Sequence, residues 1–163
     1  WMQESSNKVI QSGEIVSFDT DMVGPYGYCA DISRAFVCGN IFNDEQKQLY
    51  LLAVEQINHN SRLIKNGMSF REFTDKSWKM PEEYYGNRYS VMVHGIGLCD
   101  EWPAIRYPLD GGERNGYFQK NMTITVESYI GKVGGREGVK LEQQYIVGEN
   151  VLELMSHHPL ENI

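Results

Sequence analysis

Met122-Thr123-Ile124-Thr125-Val126-Glu127 and, beyond the pair Gly134-Gly135, Gly138-Val139-Lys140-Leu141-Glu142 decide how this sequence folds. Each run alternates apolar and polar side chains, the period of a strand that turns one face to a core. Each also places a glutamate where the alternation predicts half-buried sheet, and a carboxylate there must pair with something. We read strands over Met122 to Tyr129 and Val139 to Val147, joined through the glycine pair.

Working outward, Tyr89 to His94 reads as a third strand, with Gly111-Gly112 marking the connection that follows. His94 is followed by Gly95-Ile96-Gly97-Leu98, where two glycines let the backbone pass close to something bulky or charged. Nearer the start, Glu14 to Asp19 and Ile32 to Val37 read as partners across the turn Gly24-Pro25-Tyr26-Gly27. This hairpin carries Asp19, Asp21 and Asp31, and acidic residues on adjacent strands repel unless a cation neutralises them. Turn-flanking aspartates are common on solvated edges, so it is the histidine and the two strand glutamates that give the hairpin its meaning.

Between these strands the period changes. Asn43-x-x-Gln46 can form a capping box, and Leu49, Leu52, Ala53, Gln56, Ile57 and Leu63-Ile64 keep one helical face, which Gly67 should end. Ser69 can cap a shorter helix to about Trp78, and Pro81 opens another short piece. Strands at both ends around a helical insert predict an α+β domain whose sheet gathers residues distant in sequence. No repeat or linker divides residues 1–163, so they read as one domain.

The 163 residues are 41% hydrophobic, enough for a core, and carry a net charge of −7 that repels a phosphate backbone. Nucleic acid is excluded as a partner. No apolar run approaches the roughly 20 residues of a membrane helix, and no signal peptide opens the sequence, so a soluble, cytoplasmic protein is expected. Cys29, Cys38 and Cys99 are widely spaced with no CxxC, and are read as reduced, packed residues. His59 and His157-His158 fit no motif and are read as surface residues.

Asp19 or Asp21, Asp31, His94, Glu127 and Glu142 form a hard, mostly oxygen donor set with one imidazole, suited to manganese, iron, cobalt or zinc. Bridging carboxylates in such a set would hold two ions about 3.5–4 Å apart.

The order Asp, Asp, His, Glu, Glu resembles the creatinase, prolidase and methionine aminopeptidase superfamily. The resemblance rests on Gly27-Tyr28-Cys29-Ala30-Asp31-Ile32-Ser33-Arg34, His94-Gly95-Ile96-Gly97-Leu98 and the two glutamate strands, and covers nearly the whole chain. It implies the catalytic domain of a pita-bread fold, incomplete on its N-terminal side and without an N-terminal domain. Three departures bear on chemistry. The family's first aspartate usually lies eleven residues before the second, whereas Asp19 is twelve and Asp21 ten residues before Asp31. The peptidases' histidine seven residues after the metal histidine is replaced by Asp100-Glu101. Their earlier histidine, which would fall near residues 1–4, has no counterpart.

Asp19-Thr20-Asp21-Met22-Val23-Gly24-Pro25-Tyr26-Gly27-Tyr28 together with Leu98-Cys99-Asp100-Glu101 is similar to the DddP-type branch, the dimethylsulfoniopropionate lyases. That likeness implies that Asp19, Asp21, Asp31, His94, Glu127 and Glu142 all bind two metal ions, iron before zinc, manganese or cobalt. It also implies a homodimer. In such a lyase Asp100 is the expected base, with Glu101 in reserve, its strength raised by burial or by like charge nearby. The sulfonium end of the substrate calls for aromatic faces, for which Tyr89 and Trp102 are nearest in sequence, then Tyr84-Tyr85 and Trp78. The alternatives are a metal-dependent Xaa-Pro dipeptidase or aminopeptidase-like hydrolase, and a pita-bread module that binds a partner without catalysis.

Overall fold

The computed structural model describes residues 6–39, 41–112 and 114–160. In chain order the elements are β1 (Ile15–Asp19), β2 (Met22–Val23), β3 (Cys29–Ala30), β4 (Ser33–Val37), α1 (Asp44–Leu63), α2 (Phe70–Lys76), α3 (Glu82–Tyr85), β5 (Val91–Gly95), β6 (Ala104–Arg106), β7 (Thr123–Gly131), β8 (Gly138–Val147) and β9 (Leu152–Leu154). A five-stranded antiparallel sheet runs β6-β5-β7-β8-β9, and β1 pairs with β4 beside it. This is the mixed α+β arrangement the periodicity predicts. The three-residue strands β6 and β9 are too short to carry a readable period, and sequence reasoning missed both.

The predicted hairpin is present but interrupted. Ile15 to Asp19 pair with Val37 to Ser33, then the ladder breaks, and Met22-Val23 pair with Ala30-Cys29 around a 3-10 turn at Pro25–Gly27. The break falls at Thr20-Asp21 on one strand and Asp31-Ile32 on the other. It frees the aspartates there from a strand's strict up-and-down alternation.

α1 begins with a reciprocal capping box. Gln46 N–H donates to Asn43 Oδ1 at 2.9 Å, and Asn43 N–H donates to Gln46 Oε1 at 3.0 Å, satisfying two amides that the first turn leaves unpaired. The helix ends at Leu63, and its face of Leu49, Tyr50, Ala53, Gln56 and Ile57 packs across β7 and β8. That burial closes the core with Ile124, Val126, Ile130, Val139 and Leu141, each contributing roughly 1.5–3 kcal/mol. One polar strut crosses this layer: Ser128 donates to Gln56 Oε1 at 2.8 Å, and Gln56 Nε2 donates to Tyr107 Oη at 2.6 Å. The helix and the two strands that carry the glutamates are therefore locked in register. Ser69 caps α2 by accepting from Glu72 N–H at 3.0 Å, and the helix stops at Lys76, two residues short of Trp78.

Gly95 shows what its neighbour's glycines are for. A Cβ there would lie 2.1 Å from the Trp102 carbonyl oxygen, while Gly95 N–H donates to Pro103 O at 3.0 Å. The close-passing object is the chain's own 99–103 loop. Gly95→Ala should therefore cost about 1–3 kcal/mol by overpacking backbone against backbone, and push Asp100 and Glu101 out of place. Chemical denaturation should show the lower midpoint; an unchanged midpoint would mean the loop is not held there.

Candidate metal centre

Antiparallel pairing sets Glu127 directly opposite Glu142, and on the next strand His94 lies opposite Thr125, two residues from Glu127. Like charges placed so on adjacent strands are unfavourable by themselves. Asp31 reaches the same point from the far side of the hairpin break. His94 Nε2 stands 3.1 Å from Glu127 Oε1, 3.4 Å from Glu142 Oε1 and 3.6 Å from Asp31 Oδ2, and none of the four residues is more than 2% exposed. The His94 Nδ1 edge meets Gly95 O at 3.0 Å, which fixes the ring with Nε2 toward the carboxylates.

Three carboxylates around one imidazole nitrogen leave oxygens unsatisfied. Asp31 Oδ1 and Glu142 Oε1 are buried and accept no hydrogen bond. Buried oxygens in that state call for a cation, and the oxygen-rich set with one imidazole fits a hard or borderline divalent ion. These four residues can each offer a ligand atom with all such atoms within 4.8 Å of one another, as can a second group formed by Asp21, Asp31 and Asp100. Asp31 belongs to both groups.

Asp19 belongs to neither group. Ser33 donates to Asp19 Oδ1 at 2.5 Å, and Lys140 Nζ lies 3.3 Å from Asp19 Oδ2. Lys140 is the residue that sequence reasoning missed. Its ammonium also stands 2.5 Å from Glu127 Oε2 and 3.5 Å from Glu142 Oε2, with its side chain 7% exposed. The signal was available, because a residue two before Glu142 on a strand points to the same face.

A cavity of about 40 Å³ beside the cluster is lined by Asp19, Asp21, Asp31, Tyr89, Glu101, Glu127 and Lys140. That is room for an ion and a few waters. Tyr89 Oη donates to Glu101 Oε1 at 3.1 Å, and its ring centroid is 5.3 Å from Lys140 Nζ. Asp100 lies on the same loop, half-buried, and accepts from Glu101 N–H at 2.9 Å. Trp102, by contrast, is 62% exposed and does not line the cavity. Trp78 and Tyr84 are core residues, which accounts for both without a ligand. The three cysteines are free, as read; Cys99 is exposed and not packed.

Proton affinities record the crowding of charge. Burial, then the neighbouring Glu142 carboxylate, lifts Asp31 to about 10. Burial works against the His94 imidazolium, but the hydrogen bond to Glu127 and the adjacent Glu142 carboxylate outweigh it and lift His94 to about 11. Both groups thus hold protons at pH 7 in the metal-free protein. A metal ligand must give up its proton, so metal binding should release protons and strengthen as pH rises toward 10–11. Calorimetric titration at pH 7 in buffers of different ionisation enthalpy should show this release; identical heats in every buffer would contradict it.

The sequence profile of metallopeptidase family M24 matches residues 1–149. The chain belongs to that family. Its M24 core is 35% identical to the dimethylsulfoniopropionate lyase DddP of Roseovarius nubinhibens over 99% of this chain, and likewise 35% identical to the DddP of Roseobacter denitrificans. The chain spans 37% of the length of each. Among solved structures, the Xaa-Pro dipeptidase of Bacillus anthracis superposes with a TM-score of 0.77 at 30% identity, covering 97% of this chain and 43% of that one. The prolidase of Pyrococcus furiosus gives the same TM-score at 27% identity, covering 92% and 43%. The M24 chain thus has the pita-bread fold its motifs imply. No helix among its described residues is long and apolar enough to cross a membrane.

Proposed function

We propose that this M24 protein is a metal-dependent lyase that cleaves dimethylsulfoniopropionate into dimethyl sulfide and acrylate. The observation that carries the reading is Asp100, brought by the 99–103 loop to within ligand distance of Asp21 and Asp31, in a chain 35% identical to two such lyases. Asp31, His94, Glu127 and Glu142 would hold one ion and Asp21 with Asp31 a second, with Asp19 beside them; iron is the proposed metal. Ions held there supply Lewis acidity toward the substrate's carboxylate, which makes the adjacent C–H more acidic.

The chain's own part is proton transfer and orientation. Asp100 takes the proton from the carbon next to the carboxylate, the electron pair forms the C=C bond, and the C–S bond breaks with its electrons on sulfur. Burial raises the Asp100 carboxyl from its ordinary value, in the direction a base needs. Tyr89, on the cavity wall, would offer its ring to the sulfonium, and Trp102 is the aromatic residue on the loop that carries Asp100.

Similarity to Xaa-Pro dipeptidase at 30% identity favours a second reading, a peptide hydrolase that works without the peptidases' histidine in the 99–103 loop. Product analysis separates the two. Headspace dimethyl sulfide together with acrylate from the iron-loaded whole protein supports the lyase; free amino acids from Xaa-Pro dipeptides, with no dimethyl sulfide, would overturn it.

A further inference from the structure

We infer that residues 155–160 brace the metal centre: acting through Arg34 and Gln144, they fix the backbone from which Asp31 and Glu142 reach the ion. Arg34 is buried and uses all five of its N–H donors. Its Nη1 group donates to Ser33 O at 2.8 Å and to Glu142 O at 2.6 Å, so β4 and β8 are tied together at the residue that carries the glutamate. Its Nη2 group donates to Gln143 Oε1 at 2.6 Å and to His158 O, and its Nε–H donates to Pro159 O at 3.2 Å. Two residues along β8, Met155 N–H donates to Gln144 O at 2.8 Å and Gln144 N–H donates to Ser156 Oγ at 2.7 Å. Gln144 Oε1 in turn accepts from Asp31 N–H at 3.3 Å. The segment thus reaches both Asp31 and Glu142, although none of its own residues belongs to either donor group.

All five acceptors around Arg34 are neutral oxygens, so no ion pair accounts for its burial. What the fold takes from it is the rigid planar fork, which a lysine's single nitrogen cannot reproduce. The segment is itself firmly seated, because Phe36 meets the His158 ring edge-on at 6.0 Å and Leu160 packs against the main core. Metal ligands keep their geometry only when their supports hold them to within about 0.5 Å, and backbone tied at Ser33, Glu142 and Gln144 meets that need. Arg34 and Gln144 are positioning residues that act through Glu142 and Asp31.

Because the brace rests on the proposed metal site, the test loads the whole protein with cobalt(II) and reads its visible spectrum and its removal by a chelator. Arg34→Met should weaken retention about 10–100-fold, the usual cost of losing an outer partner of a ligand, and alter the spectrum. Arg34→Lys should do nearly the same, since charge without the fork does not span the five acceptors. Leu52→Ala, which trims a half-buried core contact on α1, serves as the stability control and should leave spectrum and retention unchanged. Arg34→Met with the parent's retention would overturn the brace, as would a control that loses cobalt equally fast at equal stability. A second measurement needs no metal: in the cobalt-free protein Arg34→Met should speed hydrogen exchange at the Asp31 amide and across residues 155–160 together, with α1 unchanged. Exchange at Asp31 that stays at the parent rate would overturn the brace by itself. A parent that takes up no cobalt would instead overturn the metal reading, and the exchange result would then decide whether the brace exists without it.

Discussion

His94→Ala should weaken metal retention by more than the roughly 10–100-fold that losing an outer-sphere partner costs, because it removes the one nitrogen donor and not merely its support. The ring is fully buried among Asp31, Glu127 and Glu142, with Nδ1 held by the Gly95 carbonyl, so no other side chain can take its place. The metal-free variant should also be less stable, by about 3–5 kcal/mol, since the buried acidic cluster loses the imidazolium that His94 carries below its pKa of about 11. The sign follows from a raised pKa: that stabilisation is complete below the unfolded value near 6.5 and fades as pH rises toward 11. Metal analysis after dialysis, with denaturation at pH 6 and pH 11, reads both effects. Full metal retention would remove His94 from the ligand set.

Asp100→Asn should slow elimination by about 10²–10⁴-fold, the usual contribution of a positioned general base. The isosteric amide still accepts from Glu101 N–H, so the loop keeps its shape, and the ion held by Asp31, His94, Glu127 and Glu142 should remain. The rate loss should appear in kcat with little change in KM, because the proton is taken only in the transition state. If Asp100→Asn retains more than a tenth of the parent rate while Glu101→Gln does not, the base is Glu101, which lines the cavity.

The sequence and the structure agree most closely where period and burial coincide. Glu127 and Glu142 sit on the polar face of long alternating strands, opposite the core positions Val126 and Leu141, so their place in one donor set was readable from the pattern, and the capping box of α1 was readable from four residues. Less was readable where tertiary contacts decide. Choosing between Asp19 and Asp21 depends on where the β1–β4 ladder breaks, which no residue pattern announces. Asp31 and Asp100 are far apart in sequence, and only the packing of Gly95 against Trp102 brings the 99–103 loop to the aspartates. Lys140 was overlooked for a different reason. Its spacing from Glu142 puts both on one face, but a lysine on a strand is ordinarily solvated, and that spacing does not say that the facing hairpin will seal it among carboxylates.

The most direct test of the account is metal counting in the whole protein with anomalous diffraction to place each ion. We predict two ions per chain, one bounded by Asp31, His94, Glu127 and Glu142 and the other beside Asp21 and Asp31, sharing the Asp31 carboxylate. A protein that purifies and reconstitutes empty, or that binds its ion away from His94, would contradict it.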